Sequence, residues 1–245
     1  MKFSKSNTKL KKTIALIKKL DLDLPRQFRV FGIPAYKTQD GDLTCPGASS
    51  CSGPCFARSG HYLFSARKKI EHENYNESIM PGFMASLSHE IRKLKKPTII
   101  RIHDSGDFHS RLYYKSWYQV ALAHPQHTFY AYTKSWNETA HYRYLHKNNK
   151  LPDNFVLVYS YGSKHDDKLT EYNQESLDAG RPPLPTSKIF ISDDAALQAG
   201  YLPSPTDLEA IRGHGKIGLE YHNNKHSRNF KWNDDGSLYN STPGA

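Results

Sequence analysis

The chain of 245 residues has no cysteine outside one short segment and no long apolar run. A membrane-spanning helix needs about 20 consecutive apolar residues, and no stretch approaches that length. The lysine-rich N-terminus lacks the apolar core of a secretion signal, because Lys18 and Lys19 directly follow the short run at 13–17. We therefore expect a soluble cytoplasmic protein that does not contact membranes.

Hydrophobic residues make up only 37% of the chain, yet aromatic residues reach 12%, which is more than a disordered chain would carry. Lysine and arginine number 34 against 24 acidic residues, so the formal charge is +10. A positive excess of this kind attracts polyanions. The composition thus predicts a basic globular protein and is compatible with a nucleic acid or a nucleotide as its partner, although the charge alone shows only a nonspecific attraction.

Residues 1–24 are predicted to form a basic N-terminal helix, with seven lysines in the first nineteen positions. Ser6 or Asn7 is a suitable N-cap for it. Two interpretations stay open at this point. The helix either touches nucleic acid, or it lies on the domain with its lysines in solvent. Residues 25–225 are expected to form a single α/β domain, and 226–245 a C-terminal tail.

All three cysteines, Cys45, Cys51 and Cys55, lie within TCPGASSCSGPC. A disulfide framework would use an even number of cysteines spread along the chain. Three thiolates in a small loop rich in glycine and proline would repel one another unless a cation neutralised them. The segment therefore predicts a metal site, with small buried thiols in the core as the structural alternative.

The spacing C-x5-C-x3-C helps to choose the metal. Zinc takes four ligands, usually from pairs of closely spaced cysteines, and the nearest candidate for a fourth ligand is His61. An iron–sulfur cube held by three cysteines instead leaves one iron free for a substrate, a cofactor or water. We expect an iron–sulfur cluster of the 4Fe–4S type, with zinc as the alternative.

Short apolar or aromatic runs alternate with helical patterns along most of the chain. Strand–helix–strand alternation predicts an α/β fold with a mostly parallel sheet, either open and doubly wound or curled into a full or partial barrel. The usual glycine-rich nucleotide motifs are absent from the sequence. The predicted strands are 28–34, 98–103, 128–132, 155–159, 189–192 and 217–221, and the predicted helices are 57–76, 83–95, 112–123 and 138–146.

Polar residues follow several predicted strands, where parallel α/β folds gather their functional groups. Ser105, Gly106 and Asp107 could present backbone N–H groups and a carboxylate to an amine or a ribose hydroxyl. Thr133, Lys134 and Ser135 suit a carboxylate or a phosphate. Each segment taken singly also fits ordinary turns and helix caps.

Two further hypotheses concern residues around these strand ends. A divalent cation held by His103, Asp104 and Asp107 would leave the three cysteines unexplained. Exposed aromatic side chains such as Tyr113, Tyr114 and Trp136 could stack nucleic-acid bases, but such residues more often belong to the core.

Three segments, TCPGASSCSGPCFARSGHY, RIHDSGDFHS and YAYTKSW, resemble the phage "gene product 88" family over about residues 28–165. The resemblance implies a viral origin, and hence the cytoplasm of an infected host, together with a cysteine cluster. The chain has no cysteine after Cys55, and only His214, His222 and His226 near its end.

The architecture is also similar to that of radical S-adenosylmethionine enzymes, in which a three-cysteine loop after the first strand of a partial (β/α)6 barrel binds a 4Fe–4S cluster. The resemblance implies that the three cysteines are the cluster ligands and that Phe56 lies near the adenine. It places Ser105, Gly106 and Asp107 at the methionyl amine, and other strand-end residues, among them Thr133, Lys134 and Ser135, at the rest of the cofactor. The usual spacing in those enzymes is C-x3-C-x2-C, from which this chain departs.

The resulting expectation is a viral iron–sulfur protein with a radical-S-adenosylmethionine-like fold. If it is catalytic, it would cleave S-adenosylmethionine to act on a nucleic acid or a nucleotide. One alternative is a nucleic-acid-binding or regulatory protein in which zinc only holds the cysteine loop together. Another is a cluster-based redox or sensor protein that does not use S-adenosylmethionine.

Overall fold

The computed structural model describes residues 1–5, 7–53, 55–221 and 230–238. In these ranges the chain forms a seven-stranded sheet whose neighbouring strands are all parallel, with helices on both faces, which confirms the α/β class. The strands are β1 (Phe28–Phe31), β2 (Ile99–Ile102), β3 (Thr128–Thr133), β4 (Phe155–Ser160), β5 (Thr186–Phe190), β6 (Leu202–Pro203) and β7 (Lys216–Glu220).

The helices begin where the sequence supplies capping groups. Asn7 caps the first helix by accepting a hydrogen bond from the N–H of Leu10 at 3.0 Å, and Ser110 caps the fourth in the same way. Three short 3-10 helices, Ser50–Ser52, Phe56–Arg58 and Gly60–Leu63, lie between β1 and α2. The α-helices are α1 (Thr8–Lys19), α2 (Ser65–Ser78), α3 (Phe83–Arg92), α4 (Arg111–Ala123), α5 (Ala140–Lys147), α6 (Asp166–Asp178), α7 (Asp193–Gln198) and α8 (Leu208–Arg212).

The strand order is β1-β2-β3-β4-β5-β7-β6, so the chain reverses direction across the sheet only at its end. Because right-handed crossovers that run in opposite directions place their helices on opposite faces, α8 is expected opposite α2–α6. Its packing agrees, since α8 lies against β3 and β4 together with α1. The described strands form an open order, with β1 and β6 at the two edges.

Each face of the sheet has its own core. On the α2–α6 face, helix side chains such as Trp117 cover Ile100, Ile102 and Phe129. On the α1–α8 face, Leu10 and Ile17 belong to a second cluster that contains Ile99, Tyr130 and Ile211. Burial of one such aliphatic side chain stabilises the fold by about 1.5–3 kcal/mol. Central strands such as β2 are apolar at nearly every position because both faces are covered.

The N-terminal helix lies on the domain, and its lysines other than Lys9 face solvent, which was one of the two interpretations. Tyr113, Tyr114 and Trp136 are at most 9% exposed and belong to the core, so they do not form a stacking platform. No helix among the described residues combines the length and apolarity needed to cross a membrane.

The later part of the chain holds more regular structure than the sequence pattern predicts. Helix α6 escapes the pattern because only Leu169 and Ser176 on it are buried. The two-residue strand β6 is too short to be recognised from its sequence. A single helix was predicted over 57–76, but the structure has two 3-10 helices followed by α2. Phe64 adopts an extended conformation between the second 3-10 helix and α2 and interrupts the helix there.

Residues 230–238 fold back onto the end of β5. The N–H of Ile191 donates to the carbonyl of Gly236, and the N–H of Leu238 donates to the carbonyl of Ile189, both at 2.9 Å. His222, His226 and the remainder of the predicted tail at 226–245 lie outside the described residues.

Candidate metal centre at the carboxyl edge of the sheet

The cysteine-bearing segment 45–55, here called the cysteine loop, lies across the carboxyl ends of β3 and β4. The N–H of Ser49 donates to the carbonyl of Gly162 at 3.3 Å, and the N–H of Lys164 donates to the carbonyl of Gly47 at 3.0 Å. Ala48 and Ser163 form an isolated antiparallel bridge. The loop follows β1 in the chain, but it is held by the segments that follow β3 and β4. These two strands lie two and three places away from β1 in the sheet.

Gly47 allows the loop to approach the backbone of Lys134. A Cβ atom at position 47 would lie only 1.8 Å from the carbonyl oxygen of Lys134. No side chain fits in that space, so the contact requires glycine. The glycine at position 47 thus has a direct structural reason.

The three thiols are half-buried neighbours on this loop. Burial raises the pKa of Cys45 far above its usual value, and the nearby Asp107 carboxylate raises it further. Burial also raises the pKa of Cys55. The hydrogen bond from the backbone N–H of Ala57 and the charge of Lys134 lower this pKa, but by less. Cys45 and Cys55 are therefore neutral at pH 7 without a cation.

Two sulfur atoms already have backbone hydrogen-bond donors. The N–H of Tyr36 donates to Sγ of Cys45 at 3.3 Å, and the N–H of Ala57 donates to Cys55. Such N–H···S bonds stabilise the thiolate form and are among the contacts that tune iron–sulfur clusters. The chemistry of the donor set therefore fits a thiolate-bound metal.

Among the described residues, no group of three or more histidine, cysteine or acidic side chains is already arranged as a metal site. The three thiols would have to draw together around a metal ion or cluster. His61, the proposed fourth ligand for zinc, is exposed, with its ring packed 4.2 Å from that of Tyr62.

Asp107 joins the ends of β2 and β3. Its Oδ1 accepts hydrogen bonds from the hydroxyl of Thr133 and the N–H of Phe108, and its Oδ2 accepts from the N–H of Lys134, each at 2.7 Å. Burial raises the pKa of Asp107, and these hydrogen bonds act in the opposite direction. The carboxylate thus supports the backbone on which the cysteine loop lies.

Ser105 and Gly106 pack against the segment that follows β1. The carbonyl of Ser105 accepts from the N–H of Ile33 at 3.1 Å, and a Cβ at Gly106 would meet the Ile33 side chain at 2.2 Å. Gly106 also has a φ of +82°. The structure therefore places residues 105–107 against the segment that leads from β1 into the cysteine loop, and the N–H of Asp107 donates to the carbonyl of Thr44 at 3.2 Å. Their role as cofactor contacts stays a prediction.

Lys134 is the cation associated with the thiols. Burial lowers its pKa, but the Asp107 carboxylate and the neighbouring Cys51 and Cys55, in their thiolate forms, raise it more. Its neighbour Ser135 is fully buried, and its N–H donates to the hydroxyl of Thr133 at 3.0 Å. The ring of Phe56 is 46% exposed at the end of the loop, so it is available to a planar ligand.

The side chains that the divalent-cation hypothesis requires, within residues 103–107, are engaged in other contacts. His103 bonds through Nε2 to the Tyr113 hydroxyl at 2.8 Å, and burial lowers its pKa well below the usual value. Asp104 binds Arg67 Nη2 at 2.5 Å. Together with the contacts of Asp107, these bonds separate the three groups rather than assemble them around one ion.

A buried ion cluster next to the loop was not foreseen from the sequence. Arg67 binds Asp104 and also Glu71, at 2.7 Å between Nε and Oε1. The hydroxyl of Tyr62 donates to Asp104 Oδ2 at 3.3 Å. Burial raises the pKa of Glu71 to about 7, although Arg67 opposes the shift. The spacing of Arg67 and Glu71, four residues apart on one helix, was the only local signal.

Part of the C-terminal segment also reaches the cysteine loop. A Cβ at Gly53 would lie 3.3 Å from the ring of Phe230, which itself packs against Tyr221. No sequence pattern predicted this contact, because the two positions lie far apart in the chain.

Fold and site together define a parallel α/β protein that carries a three-cysteine loop on the carboxyl edge of its sheet. A family model described as Gene product 88 matches residues 1–182, and the chain belongs to this phage protein family. The matched region includes β1–β4 and the whole cysteine loop, while β5–β7 lie beyond it. No curated protein and no solved structure matches the chain.

Proposed function

We propose that this phage protein binds an iron–sulfur cluster through Cys45, Cys51 and Cys55. The observation that carries the proposal is the set of three thiols on one loop pinned to the carboxyl edge, two of them already receiving backbone N–H donors. Three cysteines leave one iron of a 4Fe–4S cluster without a protein ligand.

The residues around the loop have distinct tasks in this proposal. The N–H groups of Tyr36 and Ala57 stabilise the sulfur ligands, and Lys134 partly balances the negative charge of the thiolates. Asp107 holds the Lys134 backbone in place. Gly47 lets the loop approach that backbone closely.

The finer part of the proposal is a radical-S-adenosylmethionine-like protein built on a partial barrel. Bound S-adenosylmethionine would supply a carbon radical after reductive cleavage, for hydrogen abstraction from a nucleic acid or a nucleotide. Strand order that follows the chain from β1 to β5 and a cysteine loop after β1 support it. Phe56 would lie beside the adenine, and residues 105–107 and 133–135 would surround the methionyl end.

Anaerobic purification followed by an absorption spectrum and by iron, sulfide and zinc analysis tests the cluster. The expected result is a brown protein with a broad band near ~400 nm and about four irons per chain. Cys51→Ala should lose the band, and Ser52→Ala, a change in the same loop that keeps all sulfurs, should retain it. A colourless protein with one zinc would overturn the proposal in favour of a zinc-stapled binding protein.

A second measurement separates catalysis from electron transfer or sensing. Under reducing conditions, the cluster-loaded protein should convert S-adenosylmethionine to methionine and 5′-deoxyadenosine, and the Cys51→Ala variant should not. A cluster that is reduced normally but neither binds nor cleaves S-adenosylmethionine would contradict the radical proposal and support a redox or sensor role.

A further inference from the structure

Helix α1 carries charge of one sign only. Its sequence TKLKKTIALIKK contains five lysines and no acidic residue. Exposed helices that merely need solubility usually mix both signs and gain from pairs three or four residues apart. A helix face with charges of one sign lacks these stabilising pairs, and its like charges repel one another.

Four of the five lysines lie opposite the buried side of α1. Lys9 points inward and binds Asp207 at 3.0 Å, whereas Lys11, Lys12, Lys18 and Lys19 are exposed and form no ion pair among the described residues. At about 100° per residue, these four fall on two neighbouring lines along the helix. Within each line the lysines are seven residues, or about 10 Å, apart. We call this set the α1 lysine face.

Helices α1 and α6 carry charges of opposite sign. Helix α6 packs on the opposite face of the sheet and has five acidic residues against one lysine. A polyanion therefore meets an attractive field at the α1 lysine face and a repulsive one at α6.

The apolar side of α1 is not available to a lipid surface. An interfacial helix inserts its apolar side into the membrane, but Leu10 and Ile17 are 0% exposed because they pack on the sheet. What α1 offers to a partner is charge without apolar contact, which suits a sugar–phosphate backbone.

We propose that the α1 lysine face is a docking surface for the phosphate backbone of a nucleic acid. The surface lies on a face of the sheet, apart from the carboxyl edge, and binds without regard to base sequence. The proposal names the surface that would hold a nucleic-acid substrate, yet it rests on charge geometry alone. It can therefore fail while the cluster proposal stands, and the reverse also holds.

The test uses the full-length protein as purified and labelled DNA of mixed sequence, one duplex of about 20 base pairs and one single strand of the same length. Fluorescence anisotropy gives the affinity at several salt concentrations between about 0.05 and 0.2 M. The variant Lys11→Gln/Lys12→Gln/Lys18→Gln/Lys19→Gln removes four charges but keeps helix-forming side chains. The matched control Lys68→Gln/Lys69→Gln/Lys95→Gln/Lys96→Gln lowers the net charge equally on exposed sites near α2 and α3.

The α1 variant should bind at least about tenfold more weakly near 0.1 M salt, and its salt slope should fall by up to about 3.6, or 0.9 per lost phosphate contact. The control should lose less than about twofold. Equal losses in both variants would overturn the proposal in favour of net charge alone. Wild-type protein that binds neither probe, or that binds only vesicles of anionic lipid, would overturn it as well. Unchanged melting temperatures of both variants exclude unfolding as the cause.

Discussion

The carboxylate of Asp107 holds the N–H of Lys134 at 2.7 Å, and this bond ties the end of β2 to the end of β3. The carbonyl of the same Lys134 lies against Gly47, so Asp107 also determines where the cysteine loop rests. One buried acid thereby links two strand ends to the thiols above them. Its contacts and those of three other residues lead to the following predictions.

Both carboxylate oxygens of Asp107 accept hydrogen bonds, and Asp107→Asn replaces one of these oxygens with an N–H₂ group, which can only donate. At least one buried donor, from Phe108, Thr133 or Lys134, would lose its acceptor. We expect a loss of about 2–3 kcal/mol in the free energy of unfolding, measured with urea. Asp153→Asn, on an exposed loop, should change it by less than about 0.5 kcal/mol. Equal stability of the two variants would show that the Asp107 contacts matter little.

Gly47→Ala should displace the cysteine loop, because the new Cβ would lie 1.8 Å from the Lys134 carbonyl oxygen. We expect a destabilisation of about 1–3 kcal/mol together with a lower iron content per chain. Gly53→Ala is the matched control in the same loop, since its Cβ would meet the edge of Phe230 at 3.3 Å and the Ser50 carbonyl oxygen at 3.8 Å. Iron loading of Gly47→Ala at the wild-type level would contradict the role given to this contact.

Asp207 is fully buried among Arg101, Lys9 and two tyrosine hydroxyls, those of Tyr130 and Tyr132. Removing its charge leaves Arg101 buried without its partner, so Asp207→Asn should cost about 3–5 kcal/mol in urea unfolding at pH 7. Asp21→Asn removes an ion pair with Arg26 at an exposed site and should cost less than about 0.5 kcal/mol. A small effect at Asp207 would mean that the network is replaceable by hydrogen bonds alone.

The same carboxylate should make the protein sensitive to acid. Burial alone would raise the pKa of Asp207, but Arg101 and Lys9 lower it to about 2. Its stabilisation is therefore complete above the unfolded pKa of about 3.9 and is lost as the pH falls towards 2. The stability difference between wild type and Asp207→Asn should narrow over this range in urea titrations. A constant difference would contradict the lowered pKa.

His109 should add a second pH dependence at milder acidity. Burial lowers its pKa to about 4, and its Nε2 lies 2.9 Å from the Ser78 hydroxyl. Between about pH 6.5 and 4 the unfolded chain binds a proton that the folded chain does not, so stability falls as the pH falls. His109→Gln should reduce the slope of unfolding free energy against pH by up to about 1.4 kcal/mol per unit.

Ser78→Ala is the control for the His109 prediction, because it removes the hydrogen-bond partner but keeps the imidazole. It should lower stability by a similar amount at every pH and leave the slope as in the wild type. A slope that changes in Ser78→Ala but not in His109→Gln would assign the pH dependence to another group.

The sequence was informative where structure depends on near neighbours. Asn7 predicts the start of α1, and apolar runs such as TIIRIH predict central strands, because capping and burial on both faces leave local traces. The cysteine loop was visible as a cluster of residue types. Placing residues 105–107 and 133–135 at one edge followed from a general property of parallel sheets.

The later helices were harder to predict because their apolar patterns are weak. On α6 most positions are polar, and α7 and α8 span only 6 and 5 residues. Their positions depend on the reversal of strand order at β6 and β7, which no local pattern encodes.

By itself, the sequence determined the parallel α/β class, the three-thiol loop and the excess of lysine on the N-terminal helix. Only the tertiary structure decided which charges meet. Asp207 binds Arg101 from 106 positions away, and its N–H reaches the hydroxyl of Thr13 across 194 positions. Such pairs form because the folded backbone brings their side chains within hydrogen-bonding distance in a buried site. That distance is a property of packing, and residue spacing along the chain carries no information about it.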